Sequence, residues 1–247
     1  MLKAEKVLTL IYTSFVFQLF QIYNTLTNTW STKAGLPENR RRGGAASVLV
    51  GNKIYVSHGN RGGHETGNFS TTLGWLDYYD ISEDRWYTNL TDAPNPRDHG
   101  GGGLVNGRIC VAGGRDGGDI NFFNKVILPT DCYDPVTATW SVEANIPAGR
   151  AGSSYGTTCD GKLMVAGGEG GSKTISKEAW ANVDVFDGTT WTSIDSLNIG
   201  RHGSGLAVDC NCNQIYIASG ARTLGGRWET TSVETLFPNG VDVECPA

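Results

Sequence analysis

The sequence predicts an all-β protein, a β-propeller of about four blades with four antiparallel strands in each. Three observations lead there. One arrangement of Trp, Arg and turn residues returns at near-constant intervals, short apolar strands alternate with tight turns, and glycine is in excess at 34 of 247 residues. That glycine share is about twice the usual one, and with aromatic and β-branched residues interspersed it suits short strands and close turns. The chain is long enough to bury one sizeable core.

The stretch CYDPVTATWSVEANIPAGR, residues 132–150, carries the pattern in full. Its Trp140 recurs as Trp30, Trp86 and Trp191 at spacings of 51 to 56 residues, and Arg150 recurs as Arg40, Arg97 and Arg201 at 51 to 57. From each Trp to the following Arg the distance is 10 or 11 residues. Tyr133-Asp134 recurs as Tyr79-Asp80 and Phe186-Asp187, with a weaker echo at Phe237. The doublet Gly113-Gly114 recurs as Gly167-Gly168, whereas Gly59 and Gly220 keep one glycine each. Four landmarks in one order and phase define a repeat protein.

Each unit is ordered alike. After the Arg comes a small-residue strand such as AASVLV (45–50), then a GN, NG or DG turn, then an apolar strand ending in glycine such as RICVAGG. The short turn marks a hairpin. A variable Gly-rich loop follows, then a strand finishing in Tyr-Asp and a turn into the Trp strand. Four antiparallel strands in about 50 residues describe a propeller blade.

The pattern P-x-x-R…V-x-G-x-I-Y-V-x-G-G…V-x-x-Y-D-P-x-T-x-x-W resembles the kelch repeat and covers residues 19–237. The resemblance implies a propeller, usually of five to seven blades, and extends to stand-alone galactose-oxidase-like kelch proteins. Blade number departs from it. Residues 40–86, 97–140 and 150–191 make complete units, and 201–237 supplies three strands of another. The segment 23–31 reads as the missing Tyr-turn-Trp strand, either completing that blade or remaining from a lost one. A six-blade ring at this period requires roughly 300 residues, so an N-terminally shortened propeller is expected. Residues 1–18 fit no repeat: the apolar run from Val7 to Phe20 after a basic start reads as a secretion signal, a signal anchor or a buried strand pair. The expected organisation is this segment, a propeller over 19–238 and a tail over 239–247.

The repeated residues read as scaffold. Trp30, Trp86, Trp140 and Trp191 fill the wedge between neighbouring sheets, Tyr-Asp caps the turn into the outer strand, and the glycines allow close approach at the inner end. The Arg residues begin the inner strands and anchor adjacent blades through backbone carbonyls. Function is expected where repeats differ, on the face built by the loops between strands 2 and 3 and between strands 4 and 1. The resemblance implies ligand contacts just after the repeat Arg and just after the glycines. Those positions hold Arg41, Arg42, Asp98, His99, Ala151 and His202, then Asn60, Arg61, Arg115, Asp116, Glu169, Ala221 and Arg222. The set is rich in Arg, His and acids, which suits a polar peptide or a sugar.

The expectation is therefore a non-catalytic binding module for protein or carbohydrate, with no cofactor. One alternative is a propeller fragment without independent activity; the one implied by the resemblance is a copper radical oxidase, which requires two Tyr, one of them cross-linked to Cys, and two His around copper. No such cluster is visible, and a ligand-bearing domain after the propeller has no counterpart in the ten residues following Phe237. A carboxylate-pair hydrolase using Asp98, Asp116 and Glu169 is a further alternative. His99 and His202 occupy near-equivalent places around the axis but lack a third convergent metal ligand. Net charge is −5; residues 1–42 carry six Lys/Arg against two acids, leaving 14 against 23 in the rest, which disfavours nucleic acid. Six cysteines form no C-x-x-C pair. Cys110 and Cys132 are candidate cross-strand partners. Cys159 and Cys210 sit in equivalent turns of adjacent blades, at a distance expected to be long for a bond. Cys245 could reach a turn cysteine. The sequons at Asn68 and Asn89 and the N-terminal run leave an extracellular location open, and a membrane contact only through a signal anchor.

Overall fold

Alternation along the strands sets the architecture. A computed structural model describes residues 7–10, 20–62, 71–119, 121–211 and 213–236. Three sheets have four strands, hydrogen-bonded antiparallel in chain order. The first contains Ala46–Val50, Lys53–Ser57, Leu76–Asp80 and Arg85–Tyr87. The second contains Asp98–Val105, Arg108–Arg115, Thr130–Asp134 and Thr139–Glu143. The third contains Ser154–Thr157, Leu163–Ala166, Val183–Phe186 and Trp191–Ile194. The fourth has three described strands, Gly205–Asp209, Gln214–Ala218 and Val233–Leu236. These are the four blades of a β-propeller.

The strand pairing of 23–31 differs from one reading of the sequence. Phe20–Asn24 pairs with Thr29–Lys33 on one side and with Val7–Leu10 on the other, making a separate three-stranded sheet. That sheet packs on the first blade, where Phe20 meets Tyr79 at 4.5 Å. It does not complete the fourth blade: Val7–Leu10, in the run for which a strand pair was one of the readings, supplies its partner strand. The last echo of the Tyr-Asp motif also moves: Leu236, opposite Ile215, occupies the place of Tyr79, Tyr133 and Phe186 opposite Ile54, Ile109 and Leu163. Phe237, His64, Asn68, Cys212 and Cys245 lie outside the described residues.

Turn chemistry follows the repeat. Asp134 Oδ1 accepts the backbone N–H groups of Val136 and Thr137 at 2.7 and 3.4 Å. Asp80, Asp187 and Asn24 do the same two and three residues on. These local bonds start the turn to the outer strand. There each Trp faces the aromatic before the turn, Trp86 on Tyr79, Trp140 on Tyr133 and Trp191 on Phe186, with ring centroids 5.1 to 5.5 Å apart. The indole N–H then donates to the preceding sheet, at Ala34, Thr91 and Ala144. Trp30 pairs with Tyr23 in the same way but stays exposed, since no sheet precedes it among the described residues.

Between the blades lie the cores. Cys110, Ala112 and Cys132 of the second blade pack on Leu163, Val165 and Phe186 of the third, all fully buried. Cys110 and Cys132, directly opposite on neighbouring strands, are disulfide-bonded. Cys159 and Cys210 are bonded too, with Cα atoms 5.3 Å apart. The expectation that this pair is too distant is overturned, because blades converge at these hairpin turns more than uniform spacing suggests.

Candidate functional site

One arginine per blade lies on the inner strand's entry, and the structure corrects which one opens the repeat. Arg97 bonds the carbonyl of Asn95, the carbonyl of Gly113 and the carboxylate of Asp131. Arg150 repeats this with Ala148, Gly167 and Asp184, and Arg201 with Ile199, Ser219 and Glu234. In the first blade the matching side chain is Arg42, which bonds Arg40, His58 and Asp77. Arg40 is an additional guanidinium on Asp77, stacked 4.0 Å from the Trp75 ring. Arg40 lies ten residues after Trp30, as the repeat spacing predicts, but the loop there is two residues longer. Arg42 therefore leaves the ligand-contact set and joins the scaffold.

The glycine doublet has a matching role. The two doublet positions have positive φ in every blade: His58 and Gly59, Gly113 and Gly114, Gly167 and Gly168, Ser219 and Gly220. The N–H of the second residue in each of the first three pairs bonds the carbonyl of the next blade's arginine, at 2.8 to 2.9 Å. A Cβ on Gly114 would lie 2.7 Å from a backbone oxygen of Asp98, so this seam requires glycine.

One step beyond the arginines, four residue pairs bridge strand starts and loop starts: Gly43 with Asn60, Asp98 with Arg115, Ala151 with Glu169 and His202 with Ala221. The charged members link blade to blade. Arg115 donates to Glu169 at 2.9 Å and lies 3.6 Å from Asp98, and its guanidinium sits 4.7 and 4.9 Å from the rings of Phe122 and Phe123. Glu169 also accepts the Gly225 N–H and lies 3.4 Å from His202, whose Nε2 is 2.9 Å from the Thr223 carbonyl. Asp98, Arg115, Glu169 and His202 are all buried. The sequence places them on an exposed rim; the structure draws them beneath it, because oppositely charged side chains of adjacent blades reach one another.

A second step outward, Gly44, His99, Gly152 and Gly203 share φ of 53 to 63°. They form a ladder across the blades: His99 N–H to the Gly44 carbonyl, Gly152 N–H to His99, Gly203 N–H to Gly152. His99 alone has a side chain at this level. Its Nδ1 lies 2.7 Å from Asp98 Oδ1, and the ring is partly exposed at the face. Asp98 Oδ2 makes no hydrogen bond among the described residues. A histidine in the left-handed region is strained by about 1–2 kcal/mol relative to glycine, and strain of this kind concentrates at functional positions.

The remaining predicted residues flank two inter-blade grooves on the same face. Asp116 is exposed and accepts a 2.7 Å bond from Thr72; with Thr71, Pro96, Gly118 and Ile127 it lines a groove of about 500 Å³ between the first and second blades. Arg222 is exposed beside a groove of about 550 Å³ between the third and fourth. The equivalent place between the second and third is filled by loops, with Thr174 bonding the Phe123 carbonyl. Arg41 is half-buried, and Arg61 is exposed near Trp75. Asp98 and Glu169 share one guanidinium while Asp116 lies in a separate groove, so the three carboxylates do not converge. Among the described residues no cluster of His, Cys, Asp and Glu is arranged to hold a metal. No helix among them is long and apolar enough to cross a membrane.

Two features escaped the sequence reading. His58, in a doublet position, is buried on the Trp140 ring with Nε2 3.5 Å from Asp131. Burial foremost lowers its pKa to about 4, against a hydrogen bond with Asp131 that acts the other way. Burial raises the Asp131 carboxyl, but His58, Arg97 and Asn95 outweigh it and hold the group below its ordinary value. The second is Trp228, exposed on the hairpin Ala221–Thr223 and Arg227–Glu229. Its signal was that Trp228 falls outside the Trp period and follows Gly225-Gly226.

No protein-family model matches the chain. It is 27% identical over 220 residues to Kelch-like protein terF of Aspergillus terreus, covering 88% of this chain and 46% of that protein. It is 26% identical over 149 residues to Kelch-like protein 35 of Mus musculus, covering 60% of this chain and 22% of that one. Kelch-like protein 30 of Homo sapiens is 28% identical over 118 residues, covering 48% of this chain and 18% of that one. The chain thus spans less than half the length of these relatives. Among solved structures, YjhT superposes with a TM-score of 0.56 at 16% identity, covering 87% of both chains. Sequence similarity to kelch-like proteins and structural similarity to YjhT together support a kelch-repeat β-propeller.

Proposed function

We propose that the protein is a non-catalytic binding module, with a protein or glycan ligand docking on the face built by the strand 2–3 and strand 4–1 loops. The similarity to kelch-like proteins supports a propeller interaction module. The observation that carries the choice of face is His99, held in the left-handed backbone region above the buried Asp98–Arg115–Glu169–His202 chain where the other blades have glycine. The face is charged, uneven between blades and flanked by grooves, whereas the repeated Trp side chains are committed to the seams and the Arg side chains to carbonyls and carboxylates of their own blades.

The test is peptide- and glycan-array binding by the wild type, His99→Gly and Arg115→Met. The expected result is a ligand whose affinity falls at least tenfold in both variants while their thermal unfolding stays cooperative. A ligand bound equally by all three refutes this face. Copper content and peroxide release with simple sugars address the oxidase alternative; stoichiometric copper with turnover replaces the binding reading.

A further inference from the structure

The groove between the third and fourth blades combines a platform with uncommitted polar groups. It is lined by Asn182, Asn198, Ile199, Arg222 and Trp228, together with Ala179 and Ala181. Trp228 has φ 58° and is 74% exposed. For a bulky side chain this backbone region is a genuine outlier, and neither burial nor a hydrogen bond of the indole offsets it among the described residues. The side-chain amides of Asn182 and Asn198 and the Arg222 guanidinium also make no hydrogen bond or ion pair there. Lys173 at the edge is different, being paired with Glu178 at 3.5 Å.

We infer that this groove is a saccharide-binding site, with a sugar ring stacked on the Trp228 indole and its hydroxyls held by Asn182, Asn198 and Arg222. This rests on the binding face proposed above and names its ligand class. Volume supports it, since about 550 Å³ lies in the range of pockets that enclose small ligands. The chemistry supports it further. A sugar has an apolar C–H face and a rim of hydroxyls, matching an indole and Ile199 beside two amides that both donate and accept. An extended peptide is a poorer occupant. The described wall has no sequence of apolar side-chain pockets, and the Ala221–Thr223 strand facing it is already paired with Arg227–Glu229.

The experiment is titration of the wild-type protein with a panel of neutral oligosaccharides (cello-, chito-, xylo-, manno- and galacto-series) at millimolar concentration, read by calorimetry and tryptophan fluorescence. At least one series is expected to bind and to perturb the fluorescence. Trp228→Gly, which relieves the backbone strain, is expected to match or exceed wild-type thermal stability while losing at least tenfold in affinity. Asn198→Ala and Arg222→Ala are expected to lose several-fold each. The inference is overturned if no series binds, if Trp228→Gly binds as the wild type does, or if a peptide proves to be the occupant of this groove. A ligand lost in His99→Gly but retained in Trp228→Gly leaves the binding face standing and removes only this site.

Discussion

Arg97 and Asp131 are joined by a 2.7 Å ion pair whose side chains are both fully withdrawn from water. The pair ties the inner strand of the second blade to its third strand, and the other blades repeat it with Arg42–Asp77, Arg150–Asp184 and Arg201–Glu234. Breaking a buried pair by removing one partner strands the other charge, at about 3–5 kcal/mol. Asp131→Asn is expected to destabilise within that range in urea unfolding, with the m-value unchanged.

The same logic separates Arg40 from Arg42. Arg42 makes bonds to four carbonyls and a carboxylate, while among the described residues Arg40 bonds only the carboxylate. Arg42→Met is expected to lower the urea midpoint clearly more than Arg40→Met. Equal losses would return Arg40 to the repeat.

His58 makes stability sensitive to pH. With its folded pKa lowered to about 4, the unfolded chain binds the extra proton between that value and its ordinary one near 6.5. Stability is therefore complete above about pH 6.5 and falls as pH drops toward 4, by up to about 3 kcal/mol at 1.36 kcal/mol per unit. His58→Gly restores the doublet and removes the titrating ring, so its unfolding free energy is expected to be flatter across this window. An unchanged slope would assign the effect to other groups.

The two disulfides are expected to stabilise unequally. Closing 51 residues between Cys159 and Cys210 restricts the unfolded chain by about 4 kcal/mol, and closing 22 between Cys110 and Cys132 by about 3.4, in the chain-entropy description. Under oxidising conditions Cys159→Ser is expected to lower the melting temperature. Reductant is expected to lower that of the wild type more than that of the Cys159→Ser variant.

His99→Gly completes the glycine ladder. Relief of left-handed strain is expected to raise stability by about 1 kcal/mol, set against loss of the bond to Asp98. A large loss of stability by calorimetry would make His99 a structural residue rather than a retained functional one.

Much of this fold is legible in the chain because its signals are local. The Asp134 turn, the Tyr133–Trp140 pair and the doublet Gly113-Gly114 each depend on residues within a few positions or on the facing strand, so spacing alone reveals them. The acids that receive the arginines are equally regular, two residues before Tyr79, Tyr133, Phe186 and Leu236, but their spacing alone does not say which distant cation they meet. The candidate site was legible only as a set of positions. Asp98, Arg115, Glu169 and His202 were named, but their mutual neutralisation could not be, since Arg115 and Glu169 stand 54 residues apart.

The sequence by itself determined the blade: its period, its four strands, its turns and the aromatic that fills each seam. Only the tertiary structure decided that Arg42 rather than Arg40 opens the first repeat, that Phe20–Asn24 and Thr29–Lys33 build their own sheet with Val7–Leu10, and which polar side chains stay uncommitted at Trp228. The division has one physical cause. Strand alternation and turn chemistry act over a few residues, whereas ion pairs, strand partners and grooves depend on which distant segments the closed seams bring within reach.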